Sequence, residues 1–169
     1  GAAMFSDDGN GSLQSLGPSG RTRSIIGTVP VALGPASPLL VDREHSLVTE
    51  LLAEDMVLAN ATAAQLAAGG NKALVGSEIL QFARAEPLGG RTWRLSGLLR
   101  GRGGTEGAVG GHLGNEIFVL LDQRLRLLDP ALVASGPATL IVAAGRGDPD
   151  PASTPIGLRG ISLRPLPPV

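Results

Sequence analysis

The sequence predicts a mainly β protein, a small β-barrel or sandwich of about seven to nine short strands with one short helix. Its 25 glycines and 13 prolines among 169 residues favour many turns and short elements. Apolar, β-branched runs recur along the chain and are separated by Gly, Pro, Asn and Asp clusters. Because there are only three Phe, one Trp and no Tyr, Leu, Val, Ile and Ala must form the core.

The first predicted strands lie on either side of the turn sequence DDGNG, which is typical of a hairpin. We interpret Asp7 and Asp8 as turn residues, because no late acidic ligand follows them as a calcium loop requires. Residues 24–33 form a second β-branched run, SIIGTVPVAL. Pro30 cannot donate to a strand ladder, so this run predicts an edge strand or a bent one.

The strongest strand signals form a hairpin. In EILQFARA, residues 78–85, Glu78 shares one face with Leu80 and Phe82, and the other face is also partly apolar, so the strand is expected to be central. The second arm is RTWRLSGLL, residues 91–99. Further strands are predicted at residues 115–121, 125–128, 139–144 and 158–163.

One short helix is predicted at about residues 61–68. Asn60 is a favourable N-cap, the following alanines are strong helix formers, and Gly69 and Gly70 form a stop.

Composition excludes several classes of function. The net charge of −1 does not indicate electrostatic binding to nucleic acid or to an anionic membrane. Without cysteine, the chain has no disulfide or thiolate metal site. No run of 18 consecutive apolar residues occurs, so no transmembrane span is predicted.

Both ends of the sequence look cut, and we expect a single domain excised from a longer protein. It is divided into N-terminal strands and loops (1–37), a β-rich core (38–145) and a C-terminal strand with a proline-rich linker (146–169). We interpret part of residues 1–4 as cloning residue.

A glycine-rich stretch, LLRGRGGTEGAVGGHLGNEIFVLLD, occupies residues 98–122. It fails as a dinucleotide fingerprint, because Glu106 stands where the third glycine is needed and would repel a pyrophosphate. It also fails as a P-loop, because the only lysine is distant, at Lys72.

Thr105, Glu106, His112 and Glu116 could be drawn as an active site, with His112 as base or with two carboxylates for glycoside hydrolysis. No nucleophile elbow, cysteine or nearby lysine accompanies them. We favour a structural role, in which Gly101 adopts a positive φ. Thr105, Glu106 and His112 would then hydrogen-bond the loop backbone. We therefore expect no catalysis, no metal site and no cofactor.

Two further clusters have a functional and a structural interpretation. Asp42, Glu44 and His45 could form a catalytic or metal group, but we favour a solvated turn between strands, because the other histidine is far along the chain. Trp93 could provide an aromatic platform for a sugar, although at strand spacing it more often belongs to the core.

Several motifs resemble one protein family from about Pro38 onward. These motifs are NKALVGSEILQF (71–82), WRLSGLLRGRGGTE (93–106), His112, FVLLD (118–122), AGRGDPDP (144–151) and LRPLPPV (163–169). They resemble the tail-tip baseplate hub ("megatron") or host-specificity proteins of gene transfer agents and related phages. That family usually has a basic residue where Gly103 stands, so no phosphate or glycan contact carries over to this position.

The resemblance implies a C-terminal β-rich module of a long tail protein, without that protein's glycosidase-like barrel. It implies a structural role in tail assembly and in host attachment or DNA delivery, in a virion or gene-transfer-agent particle assembled in the bacterial cytoplasm. The implied partners are other tail proteins and two further copies in a homotrimer. The alternative from a different class is a carbohydrate-binding module that recognises host cell-surface or cell-wall glycan.

Overall fold

A computed structural model describes residues 1–20, 22–133 and 139–155. The described residues form two compact units, one of residues 24–122 and one that combines the residues up to Arg23 with those between Gln123 and Pro155. The division between the units falls after Arg23 and after Asp122.

The protein is mainly β, as predicted. The described residues contain ten strands, slightly more than expected, one α-helix and two single-turn 3₁₀ helices, Glu106–Ala108 and Pro130–Leu132. The strands are β1 (Ala3–Asp7), β2 (Leu13–Pro18), β3 (Ile26–Val29), β4 (Val41–Leu51), β5 (Lys72–Val75), β6 (Glu78–Gly89), β7 (Thr92–Arg102), β8 (Glu116–Leu120), β9 (Leu140–Ala144) and β10 (Ala152–Pro155).

Residues 24–122 form a closed six-stranded barrel in the order β3-β4-β7-β6-β5-β8. All neighbouring strands are antiparallel. Of the two interpretations of residues 24–33, an edge strand or a bent one, the edge strand is wrong, because β3 pairs with β4 on one side and β8 on the other. Pro30 is accommodated because β3 ends at Val29, so no ladder hydrogen bond is required of it.

The barrel interior is filled mainly by aliphatic side chains and two phenylalanines, Phe82 and Phe118, both fully buried. In β6 Leu80 and Phe82 are buried on the same predicted face, and Gln81 between them is buried as well. The other core members are Ile25, Val29, Leu33, Leu47, Leu51, Met56, Leu58, Ala73, Val75, Leu95 and Leu98. A core poor in aromatic residues is therefore sufficient here.

The predicted hairpin of residues 78–85 and 91–99 is confirmed as β6–β7. Gly76 has a φ of 55° and lies in the turn that connects β5 to β6. These turns fix which strands are neighbours in the barrel wall.

The helix α1 spans Ala63–Ala67, inside the predicted range, but its N-cap is Thr62 and not Asn60. The Thr62 hydroxyl accepts from the Gln65 amide at 3.2 Å, and the Gln65 side chain accepts from the Thr62 amide at 2.8 Å, which completes a capping box. The Asn60 side chain instead accepts from the Ala85 amide of β6 at 2.8 Å.

The second unit contains a four-stranded sheet in the order β10-β9-β1-β2. The predicted DDGNG hairpin is confirmed as the β1–β2 connection. Asp7 and Asp8 accept from the amides of Gly9 and Asn10, both at 2.9 Å, so each closes a local turn as expected.

Two other sequence interpretations have definite outcomes. Residues 125–128 form no strand. The proposed turn at Asp42 to His45 lies inside β4, at a break in the β4–β7 register between Asp42 and Ser46. The predicted strand at residues 158–163 lies outside the described residues.

Barrel closure depends on Gly27, at the pairing of β3 with β4. A Cβ there would overlap the carbonyl oxygen of Glu50 and lie 2.9 Å from Cα of Leu51. Because these atoms belong to the backbone, we expect Gly27→Ala to lower the free energy of unfolding by about 1–3 kcal/mol. The measurement is urea unfolding followed by the fluorescence of Trp93, the only tryptophan.

The matched control is Gly107→Ala, because a Cβ at Gly107 meets nothing within 4 Å. Its free energy of unfolding should stay within about 0.5 kcal/mol of the wild type. Equal destabilisation by the two substitutions would contradict the tight β3–β4 approach.

Candidate functional site

Charged side chains from four strands converge at one end of the barrel. Asp42 lies at the start of β4, Glu78 at the start of β6, Arg100 near the end of β7 and Glu116 at the start of β8. Antiparallel neighbours bring the beginning of one strand beside the end of the next, so these positions share one end. We call Asp42, Glu78, Arg100, His112 and Glu116 the barrel-end cluster.

Arg100 and Glu78 form a bidentate ion pair at the centre of this cluster, and both side chains are fully buried. Arg100 Nε lies 2.9 Å from Glu78 Oε1, and Nη2 lies 2.8 Å from Oε2. The Gly101 amide also donates to Glu78 Oε1, at 2.7 Å. Such fork-to-carboxylate pairs are among the strongest hydrogen-bonded pairs in proteins.

The rest of the Arg100 guanidinium joins two loops to the strands. Nη1 donates to the carbonyl oxygen of Gly34 at 2.9 Å, and Nη2 donates to that of Val109 at 3.1 Å. Gly34 lies in the β3–β4 loop and Val109 in the glycine-rich β7–β8 loop. A single buried cation therefore orders both loops at this end of the barrel.

His112 lies between two carboxylates, and its side chain is only 2% exposed. Its Nε2 is 2.6 Å from Glu78 Oε2, and its Nδ1 is 2.6 Å from Glu116 Oε2. The histidine of the glycine-rich loop is therefore tied to β6 and to β8.

Asp42 connects the cluster to the surface. Its Oδ2 is 3.5 Å from Arg100 Nη1 and 3.0 Å from Nδ1 of His45, whose side chain is 38% exposed. Asp42 is 3% exposed at its side chain, so interpreting it as part of a solvated turn is wrong. The register break in β4 turns Asp42 inward. A cavity of about 300 Å³ adjoins this pair, lined by residues 35–37 and 40–45.

Burial and hydrogen bonding act oppositely on the two buried carboxylates. Burial raises the pKa of Glu78, but the hydrogen bonds from Arg100, His112 and the Gly101 amide outweigh it and hold the pKa below the ordinary value. Burial likewise raises the pKa of Asp42, and the hydrogen bonds from His45 and Glu44 outweigh it. Both groups are therefore ionised at neutral pH.

The cluster is complete within itself. Among the described residues, every buried side-chain nitrogen or oxygen has a hydrogen-bond partner. The same part of the chain contains no group of three or more His, Cys, Asp or Glu side chains arranged to hold a metal ion. The paired charges of the cluster join strands to loops.

Thr105 lies where the sequence suggested and hydrogen-bonds the backbone. Its hydroxyl accepts from the Ile79 amide at 2.9 Å and donates to the carbonyl oxygen of Arg102 at 2.8 Å. Gly101 has a φ of 58°, and a Cβ there would lie 2.9 Å from Cα of Glu106. Both residues therefore shape the start of the glycine-rich loop.

Glu106 and His112 have different surroundings from those expected. Glu106 is exposed, and its carboxylate makes no hydrogen bond to the loop backbone in the described part of the chain. His112 contacts carboxylates, not the backbone. It is joined to Glu116, but no described contact joins Glu106 to either residue, so the structure does not assemble the suggested Glu106–Glu116 pair.

Trp93 is half-buried and packs against the barrel core. It lies opposite Thr49 of β4 and Pro87 of β6 in the sheet. Its indole therefore has core contacts and is partly buried.

Sequence reasoning missed Glu78, Arg100 and Asp42 as members of one site. A signal was present for Glu78, which shares a strand face with Leu80 and Phe82. A charged residue in phase with core residues needs a buried partner, but its identity depends on strand pairing.

Comparison with known families identifies one family, and its match falls on the barrel. A family model described as "Rcc01698-like, C-terminal" matches residues 24–119, more than half of the chain. The chain belongs to this family. This family is related to gene transfer agents. A search of curated proteins found no match.

The matched residues of this Rcc01698-like domain contain β3, β4, β5, β6, β7 and all but the last residue of β8. They also contain the whole barrel-end cluster. No helix in the described part of the domain is long and apolar enough to span a bilayer.

Arg100 and Arg94 provide a matched test, because both lie on β7 and both pair with a glutamate. Arg100→Ala leaves Glu78 buried without its cation, and we expect the free energy of unfolding to fall by about 3–5 kcal/mol. Arg94→Ala removes an exposed pair with Glu86 and should cost less than about 1 kcal/mol. Urea unfolding by Trp93 fluorescence measures both, and a small effect of Arg100→Ala would refute a stabilising role for the cluster.

The cluster should make the barrel acid-sensitive. The ordinary values are 4.5 for Glu78 and 3.8 for Asp42, and the fold lowers both. Below these values the unfolded chain binds protons that the folded chain does not. The contribution of these two carboxylates to stability is thus fully present above about pH 4.5 and declines as the pH falls from there.

The measurement is the free energy of unfolding between about pH 5 and about pH 3. We expect a shallower acid slope in Glu78→Gln than in the wild type. Glu106→Gln serves as the exposed-carboxylate control and should keep the wild-type slope. An unchanged slope in Glu78→Gln would contradict the assignment.

Proposed function

We propose that this chain is a structural module of a tail-tip or baseplate hub protein in a gene-transfer-agent or phage particle. In this role it supports tail assembly and host attachment or DNA delivery, and it performs no catalysis itself. Its partners are other tail proteins and further copies of the same protein in a trimer around the tail axis. Membership of a gene-transfer-agent-related family supports the particle context.

The observation that carries the assembly role is an exposed aliphatic run. Leu39, Leu40 and Val41 are 90%, 69% and 45% exposed, and they lie at the barrel end that carries the cluster. Three consecutive exposed apolar residues are unfavourable in a folded protein unless a function requires them. Contact with another protein is the usual such function.

The cluster supports this role by ordering the neighbouring backbone. Arg100 binds the carbonyl oxygen of Gly34, in the same loop as Leu39 and Leu40. A rigid loop loses less conformational entropy on binding, so an apolar run held in this way is well suited to a protein interface. The glycan-binding alternative depends on Trp93, which packs against the core.

The test uses the double substitution Leu39→Ser/Leu40→Ser in the full-length gene, in the bacterium that encodes it. The fold should be retained, because both side chains are exposed. We expect fewer particles with complete tails by electron microscopy and gene transfer reduced at least about tenfold, the effect of about 1.4 kcal/mol of lost binding free energy.

The matched control is Leu52→Ser/Val57→Ser, because these side chains are 57% and 63% exposed on segments that follow the other end of β4. It should leave particle assembly unchanged. Normal particles from the Leu39/Leu40 variant, or absence of the protein from purified particles by mass spectrometry, would reject the proposal. Glycan-array binding lost in Trp93→Ala would instead favour the carbohydrate-binding alternative.

A further inference from the structure

His112 raises a question of proton count that the structural role of the cluster leaves open. A neutral imidazole has one N–H donor and one bare nitrogen that only accepts. Both ring nitrogens of His112 lie 2.6 Å from a carboxylate oxygen. An ionised carboxylate can only accept, so two such contacts need two protons on the ring or one proton on a carboxyl group.

The charges around His112 support a proton on the ring. The charged groups that pack near it are Glu78 on β6, Arg100 on β7 and Glu116 on β8, with Asp42 on β4 behind Arg100. With a doubly protonated His112 the two cations face three carboxylates, those of Glu78, Glu116 and Asp42, and the cluster carries a net charge of −1. A neutral His112 would leave Arg100 as the one cation among these three carboxylates and raise the net negative charge to −2 in groups that are buried or nearly so, which is costly.

Glu116 is also held in its place. A Cβ on Gly76 would lie 2.6 Å from the carboxyl carbon of Glu116, so this carboxylate packs directly over the β5–β6 turn. The side chain of Glu116 is only 18% exposed. The contact with His112 is therefore part of the packed end of the barrel.

We propose that His112 is a proton-dependent latch: one extra proton, shared by Glu78, His112 and Glu116, holds the β7–β8 loop on the barrel. When this proton leaves, one nitrogen–oxygen contact becomes repulsive, and His112 must separate from a carboxylate. Since His112 lies in residues 103–115, that loop loosens first. This inference rests on the geometry of the cluster and stands independently of the proposed particle role.

The direction of the pH effect follows from proton counting. In the unfolded chain a histidine releases its proton near about pH 6.5. Above that pH the folded chain binds one proton more than the unfolded chain, so stability decreases as the pH rises. The unfolding equilibrium constant should increase by up to about tenfold per pH unit. Below that pH the contribution is fully present.

His45 is the internal comparison, because the chain contains only two histidines. Its Nδ1 contacts Asp42 alone, and its Nε2 meets no carboxylate in the described part of the chain. A neutral ring satisfies that arrangement. The latch therefore predicts different protonation for the two histidines in the same sample.

The first experiment is a long-range ¹H–¹⁵N correlation spectrum of the labelled full chain at about pH 8, where an unstructured histidine is neutral. Comparison with His45→Gln assigns the two rings. We expect His112 to show two protonated nitrogens. A bare nitrogen in His112 at this pH, with the fold intact, would overturn the proposal.

The second experiment measures unfolding between about pH 7 and about pH 8.5 in the wild type and in Glu116→Gln. A glutamine amide can donate to Nδ1, so a neutral ring suffices and the pH slope should disappear. His45→Gln should keep the slope. A flat wild-type profile, or an unchanged slope in Glu116→Gln, would refute the latch, and if Glu116→Gln does not fold, the wild-type spectrum still decides.

Discussion

The buried ion pair between Glu78 and Arg100 is the interaction on which the ordered end of the barrel depends. Arg100 is fully buried, and its guanidinium is shared among the Glu78 carboxylate, two loop carbonyls and Asp42. A buried cation without these partners would be strongly unfavourable. The strands, the loops and the charges at this end must therefore form together, because each satisfies a group that the others bury.

Closure of the barrel explains why this arrangement is possible. A closed sheet has no free edges, and its interior at each end must be filled by side chains. Aliphatic residues and two phenylalanines fill the middle of this barrel. At one end paired charges take the place of apolar side chains and join strands to loops. They also hydrogen-bond backbone groups of the loops, which have no partner in a neighbouring strand.

The glycine-rich stretch gains a specific meaning from this setting. Thr105 and Gly101 shape its start, Val109 accepts a hydrogen bond from Arg100, and His112 connects its end to two strands. In the folded chain this stretch is a loop that hydrogen bonds and ion pairs hold against the buried charge cluster. Arg100 also donates to the backbone of the β3–β4 loop, on which the exposed Leu39 and Leu40 lie. The cluster is therefore adjacent to the proposed contact with neighbouring proteins.

The sequence by itself determined the local features: the mainly β class, the β1–β2 and β6–β7 hairpins and a short helix, because turn chemistry and strand alternation act over a few residues. The helix start was placed two residues early, since Asn60 and Thr62 are both good caps and only a contact with β6 decides between them. The cluster needed the tertiary structure. Arg100 meets Glu78 across 22 residues and Asp42 across 58, and His112 meets Glu78 across 34. Strand order and the β4 register break bring these residues together, and no local pattern in the sequence specifies either of them.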